Sequence, residues 1–151
     1  MSRFVFVTII VLLLLSVAAL LAFRARSAGQ AAATGPGVEP ISATELEGRY
    51  GVRVRLLAVT AGGGMVDLRL KILDAEKATP LLGQPSKPPL LVAEDSGATL
   101  QSPEGSMGEE IRLQDGQVLI LLYPNAGGAI RPGTPVSVVF GNERLEPVLA
   151  Q

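Results

Sequence analysis

The densest group of carboxylates in this 151-residue chain is Glu104, Glu109, Glu110 and Asp115, and its one adjacent serine–lysine pair is Ser86-Lys87. Converging carboxylates can share acid–base work or hold calcium, and a lysine can activate a serine nucleophile. Neither group has the spacing that those chemistries need. The D-x-D-x-D rhythm of a calcium loop is missing, and Glu109 and Glu110, as neighbours on extended chain, point to opposite faces. Ser86 and Lys87 are neighbours inside the proline-rich PSKPP stretch and diverge for the same reason. Ser106 lies in EGSMG, which is not the G-x-S-x-G elbow and is followed by no helix pattern. Gly62, Gly63 and Gly64 are followed by neither Lys-Ser nor Lys-Thr, so they read as turn residues and not as a phosphate loop.

The missing residue types narrow the chemistry further. There is no His, no Cys and no Trp. Ser–His and Cys–His catalysis, zinc–thiolate sites and disulfides are therefore excluded. Met65 and Met107 are too few to build a copper site without histidine. The expectation is a protein that is not an enzyme, with no cofactor and no metal.

A binding role has a better candidate. The stretch YPNAGGAIRPG, residues 123–133, joins an apolar segment to the last hairpin and is long for a simple connection. Tyr123 pairs an apolar body with a polar tip, Asn125 offers an amide, and Arg131 carries a fork of donors. Tyrosine and arginine are the types favoured where one protein grips another. These three residues are the expected partner-binding positions.

The elements that position them alternate with period two. In RYGVRVRLLAVT, Tyr50, Val52, Val54 and Leu56 fall on one face and Arg53 and Arg55 on the other. In MVDLRLKIL, Val66, Leu68, Leu70 and Ile72 alternate with Asp67, Arg69 and Lys71, which places Asp67 across from an arginine of the first strand. AGGG between them makes the turn. DAEKATPLL offers an Asp cap and a turn or two of helix before Pro80. LLVAEDSGATLQS reads as a hairpin around Asp95-Ser96-Gly97. EEIRLQDGQVLILLY reads as two strands around Asp115-Gly116, the second nearly all apolar and hence central. PVSVVFGNERLEPVL supplies Val136, Val138 and Phe140, a Gly141-Asn142 turn and a closing strand. Seven to eight short strands with frequent turns predict a mainly β domain over residues 41–151, an antiparallel immunoglobulin-like β-sandwich, with a small partly open barrel as the alternative.

Ahead of that domain the composition changes. Residues 1–3 form a short tail, and residues 4–23, FVFVTIIVLLLLSVAALLAF, carry no charge; fifteen of them are Leu, Ile, Val or Phe. As a helix this run reaches about 30 Å, the thickness of the hydrocarbon core of a bilayer, and its insertion is favourable by about 6 kcal/mol. It is longer than the apolar core of a cleaved leader, so a retained transmembrane helix is expected. Ser16, Ala18, Ala19 and Ala22 form a candidate helix-packing face, because small side chains let a second helix approach. Arg3 and the terminal amine balance Arg24 and Arg26, but a short basic start before an apolar run also opens export signals, which favours the N-terminus inside. Residues 24–40, rich in Ala, Gly and Pro, read as a flexible linker with a reach of about 20 Å.

Beyond residue 26 the chain holds 10 basic and 14 acidic side chains, which gives no footprint for nucleic acid. The expected protein is a single-pass, membrane-anchored, non-catalytic β-sandwich on the extracytoplasmic or periplasmic side of the inner (cell) membrane. It would bind or stabilise an integral-membrane or membrane-associated protein partner as an accessory subunit. The alternative is a secreted or periplasmic carrier whose leader is removed at Ala25-Arg26-Ser27.

Overall fold

The computed structural model describes residues 40–108 and 111–151. The apolar run 4–23, with Ser16, Ala18, Ala19 and Ala22, lies outside the described residues, as do Glu109 and Glu110 and all but the last residue of the expected linker. Among the described residues no helix is long and apolar enough to cross a membrane.

The described chain is mainly β, with nine strands in two sheets and two short α-helices. The strands are β1 (Pro40–Ile41), β2 (Val52–Thr60), β3 (Met65–Ile72), β4 (Leu90–Ala93), β5 (Thr99–Leu100), β6 (Val118–Pro124), β7 (Pro135–Phe140), β8 (Glu143–Leu145) and β9 (Val148–Leu149). One sheet has the order β1-β8-β7-β4-β5, with β9 also on β7; the other has the order β2-β3-β6. Val66, Leu68, Leu70, Ile72, Leu121 and Tyr123 of the three-stranded sheet share one buried core with Leu91, Ala93, Val136, Val138 and Phe140 of the larger sheet. Pairing is antiparallel except between β1 and β8, which run parallel.

The three-stranded sheet departs from simple alternation at one point. Arg49 and Tyr50 do not open the first strand, as period two predicts, but close helix α1 (Ala43–Tyr50). A capping box decides this: the Ser42 hydroxyl accepts the Glu45 N–H, and the Glu45 carboxylate accepts the Ser42 N–H at 2.9 Å. Gly51 ends the helix in the left-handed region at φ 59°. Along β2 a bulge between Val54 and Leu56 inserts one residue. Leu56 therefore faces outward opposite Arg69, and Leu57 turns into the core opposite Leu68, reversing the expected phase. Asp67 lies opposite Ala58 and takes its arginine from its own strand, Arg69, at 2.7 Å.

Helix α2 (Ala75–Leu82) is capped by Asp74, whose side chain accepts the Lys77 N–H, and it runs through Pro80 to Leu82. Pro80 has no N–H to donate to the carbonyl one turn back, so the helix forgoes that bond. In the larger sheet, β4 and β5 form the hairpin expected around Asp95-Ser96-Gly97. The closing strand is split into β8 and β9 at Glu146-Pro147, where proline offers no N–H and the register against β7 moves by one residue. Beyond β9, Gln151 exchanges backbone hydrogen bonds with Leu57 and Val59 and so occupies part of the free edge of β2.

Candidate functional site

The largest departure from expectation concerns β6. Its composition marks it as a central strand, yet it lies at an edge, bonded to β3 alone among the described strands. Of the two strands read from residues 109–123 the second forms, and residues 111–114 of the first are not in a strand. Leu121 and Tyr123 face the core, and the alternate residues Val118, Ile120 and Leu122 remain 46%, 56% and 45% exposed. Three large aliphatic side chains thus stand in one row on the outer face of the smaller sheet.

The register sets their neighbours. Across the outer face, Arg53, Lys71 and Val118 form one row; Leu56, Arg69 and Ile120 the next; and Ala58, Asp67 and Leu122 the third. The face is therefore apolar along β6 and cationic toward β3 and β2. Arg53 is held by Glu47 of α1 through two hydrogen bonds of 2.8 and 2.6 Å. That hydrogen bonding keeps the Glu47 carboxyl below its ordinary range. Arg69 is held by Asp67. Among the described residues neither Lys71 nor Arg55 forms a salt bridge.

The loop expected to bind a partner is built differently from that expectation. Tyr123 is 0% exposed, and its hydroxyl donates to the Pro89 carbonyl at 2.9 Å. Burial pushes its phenol well above the ordinary value. Asn125 is 3% exposed; its Nδ2 donates to the Gly63 and Ile130 carbonyls, and its Oδ1 accepts the Ile130 N–H. Both residues hold the loop to the β2–β3 turn and to β4, and neither presents a surface. Arg131 alone of the three is exposed.

Of the residues considered for chemistry, Glu109 and Glu110 lie outside the described residues. Asp115 accepts the Ala75 N–H at 2.8 Å and so anchors the start of α2. Among the described residues no group of three or more acidic side chains is placed to hold a metal. Ser86, Lys87, Ser102 and Glu104 border an open groove of about 880 Å³ together with Pro85, Leu90 and Val139. Leu90 and Val139 alternate with the buried Leu91 and Val138, so this groove lies outside the core.

A signal for the edge position of β6 is present in the chain. Pro124 ends the strand and cannot donate to a ladder on either side, which favours an edge over a centre. The chain matches no protein-family model, no curated protein and no solved structure.

Proposed function

We propose that this protein is a single-pass, membrane-anchored, non-catalytic accessory subunit whose immunoglobulin-like β-sandwich sits on the extracytoplasmic side and grips a protein partner. The observation that carries this reading is the row Val118, Ile120 and Leu122, left in water on the outer face of the smaller sheet. Isolated exposed aliphatics are ordinary, but three in register on one flat face form a contiguous apolar patch of the kind that partners cover. Two sheets sharing one core support the sandwich architecture. The membrane anchor rests on the length and apolarity of residues 4–23, and the short linker confines the domain to neighbours at the bilayer.

Purification of the full chain from membranes in mild detergent tests the proposal. One stoichiometric membrane protein should accompany it, and Ile120→Lys should release that protein. A clean single species, with no companion in any mild detergent, refutes the reading.

The 880 Å³ groove supports a second reading, the soluble carrier, because its size suits a small ligand. Intact mass separates the two: a native chain shortened by about 27 residues points to the carrier.

A further inference from the structure

The outer face of the β2-β3-β6 sheet carries two independent features, an apolar row and an excess of positive charge. Beyond residue 26 the chain is net acidic, yet Arg53, Arg55, Arg69 and Lys71 all lie on β2 and β3. Among the described residues only Glu47 and Asp67 answer them, each spoken for by one arginine. Lys71 stands directly opposite Arg53 in the register and beside Val118. Like charges facing each other across strands are unfavourable, so an added carboxylate here would be favoured twice, by attraction and by relief of that repulsion.

The exposed backbone edge of β6 is less suited to binding than its side-chain face. The backbone bonds Ile72 N–H to Gln117 carbonyl and Asn125 N–H to Gly64 carbonyl fix the odd-numbered residues as those bonded to β3. Outward-directed groups thus belong to Val118, Ile120, Leu122 and Pro124. The Leu122 carbonyl already accepts the Ser102 hydroxyl at 3.3 Å, and Pro124 has no N–H. An added strand would find only a short, interrupted ladder there.

A helix laid on the face meets no such obstacle. Alternate residues of a strand are about 6.8 Å apart, and positions i and i+4 of a helix are about 6 Å apart. Three apolar side chains at i, i+4 and i+8 therefore fall close to Val118, Ile120 and Leu122 in turn. Carboxylates on the adjoining stripe of that helix would reach over β3 toward Lys71 and Arg69. Resting on the partner-binding reading above, we infer that this face docks an acidic amphipathic helix of a protein partner, its apolar stripe on Val118, Ile120 and Leu122 and its carboxylates on Lys71.

Photocrosslinking in the native membrane tests the inference on the full chain. A benzophenone amino acid replaces Ile120 in one protein and Val118 in another, each accepted only if its melting temperature matches the parent's. The linked peptide is then sequenced. The expected product at both positions is a partner segment with apolar residues spaced four apart and Asp or Glu beside them, its yield falling about tenfold with Lys71→Glu. A linked partner peptide lacking that pattern, or a yield indifferent to Lys71→Glu, overturns the acidic helix while leaving partner binding intact. Linkage to this chain's own β6, to lipid alone or to nothing overturns the inference. The detergent co-purification above, read separately, then says whether partner binding falls with it.

Discussion

Asn125 and Ile130 are joined twice: the Ile130 N–H donates to Asn125 Oδ1 at 3.0 Å, and Asn125 Nδ2 donates to the Ile130 carbonyl at 2.7 Å. Both residues are buried, so water cannot replace either bond without opening the loop. Asn125→Ala strands these groups and the Gly63 carbonyl. It should lower unfolding free energy by about 2–3 kcal/mol in urea denaturation, whereas exposed Arg131→Ala should stay within about 0.5 kcal/mol. Equal effects at the two positions would contradict the structural role given to Asn125.

The two tyrosines should ionise late and separately. The Tyr50 hydroxyl donates to Glu143 at 2.6 Å, and this bond, then burial, raises its phenol. Burial alone raises Tyr123. A raised folded value means that each contribution to stability is intact below the ordinary 10.0 and is lost as pH climbs through the folded value. Ultraviolet titration of Tyr50→Phe should therefore show Tyr123 ionising only with alkaline unfolding. A reversible step near the ordinary value, with the fold intact, would disprove its burial.

Gly51 should tolerate no side chain. It sits at φ 59°, and a Cβ there would lie 2.6 Å from Asp74 Cβ and 2.8 Å from the Asp74 carbonyl oxygen. Gly51→Ala should cost about 3 kcal/mol, combining left-handed strain with a clash against backbone. Gly62, at φ 64° with open space around it, bears the strain alone, and Gly62→Ala should cost about 1 kcal/mol. Thermal denaturation of the pair measures the difference.

Adjacent residues of β6 should respond in opposite ways. Leu121→Ala removes a core side chain and should cost about 3 kcal/mol. Ile120→Ser should leave stability within about 0.5 kcal/mol. A destabilising Ile120→Ser would mean that something in the domain covers that face.

Acid should weaken the domain through its two helix caps and the Glu47–Arg53 pair. Backbone donation from Ser42 lowers Glu45, hydrogen bonding from Arg53 lowers Glu47, and the Lys77 N–H lowers Asp74. Each contribution is present above the group's ordinary value and disappears as pH falls through the lower folded one. Urea midpoints measured between about pH 7 and about pH 2.5 should fall only below the ordinary Glu value of 4.5, and less steeply in Glu47→Gln. A midpoint that falls well above that value would point to other groups.

Alternation in MVDLRLKI was enough to place Val66, Leu68, Leu70 and Ile72 in the core, because strand side chains change face at every residue and that rule needs no knowledge of neighbours. The Asp95-Ser96-Gly97 hairpin and the Asp74 cap were likewise local, each settled by a few adjoining residues. Helix α1 was legible too, in the S-x-x-E spacing of Ser42 and Glu45, but the period-two signal that follows it masks so short an element. The bulge after Val54 left no mark in composition, so the inward turn of Leu57 had to await pairing with β3.

The candidate site itself was decided by tertiary structure. An apolar strand reads alike whether both of its faces are covered or one is bare, since hydrophobicity records preference and not occupancy; Pro124 favoured an edge, but the sheet order put β6 there and left Val118, Ile120 and Leu122 in water. Tyr123 and Asn125 have the chemistry of a contact surface, and only packing turned their polar atoms inward to Pro89, Gly63 and Ile130. Sequence by itself determined which residues prefer to leave water and which reactions lack their side chains. Which preferences were met depended on long-range pairing, because a strand's neighbours come from distant parts of the chain.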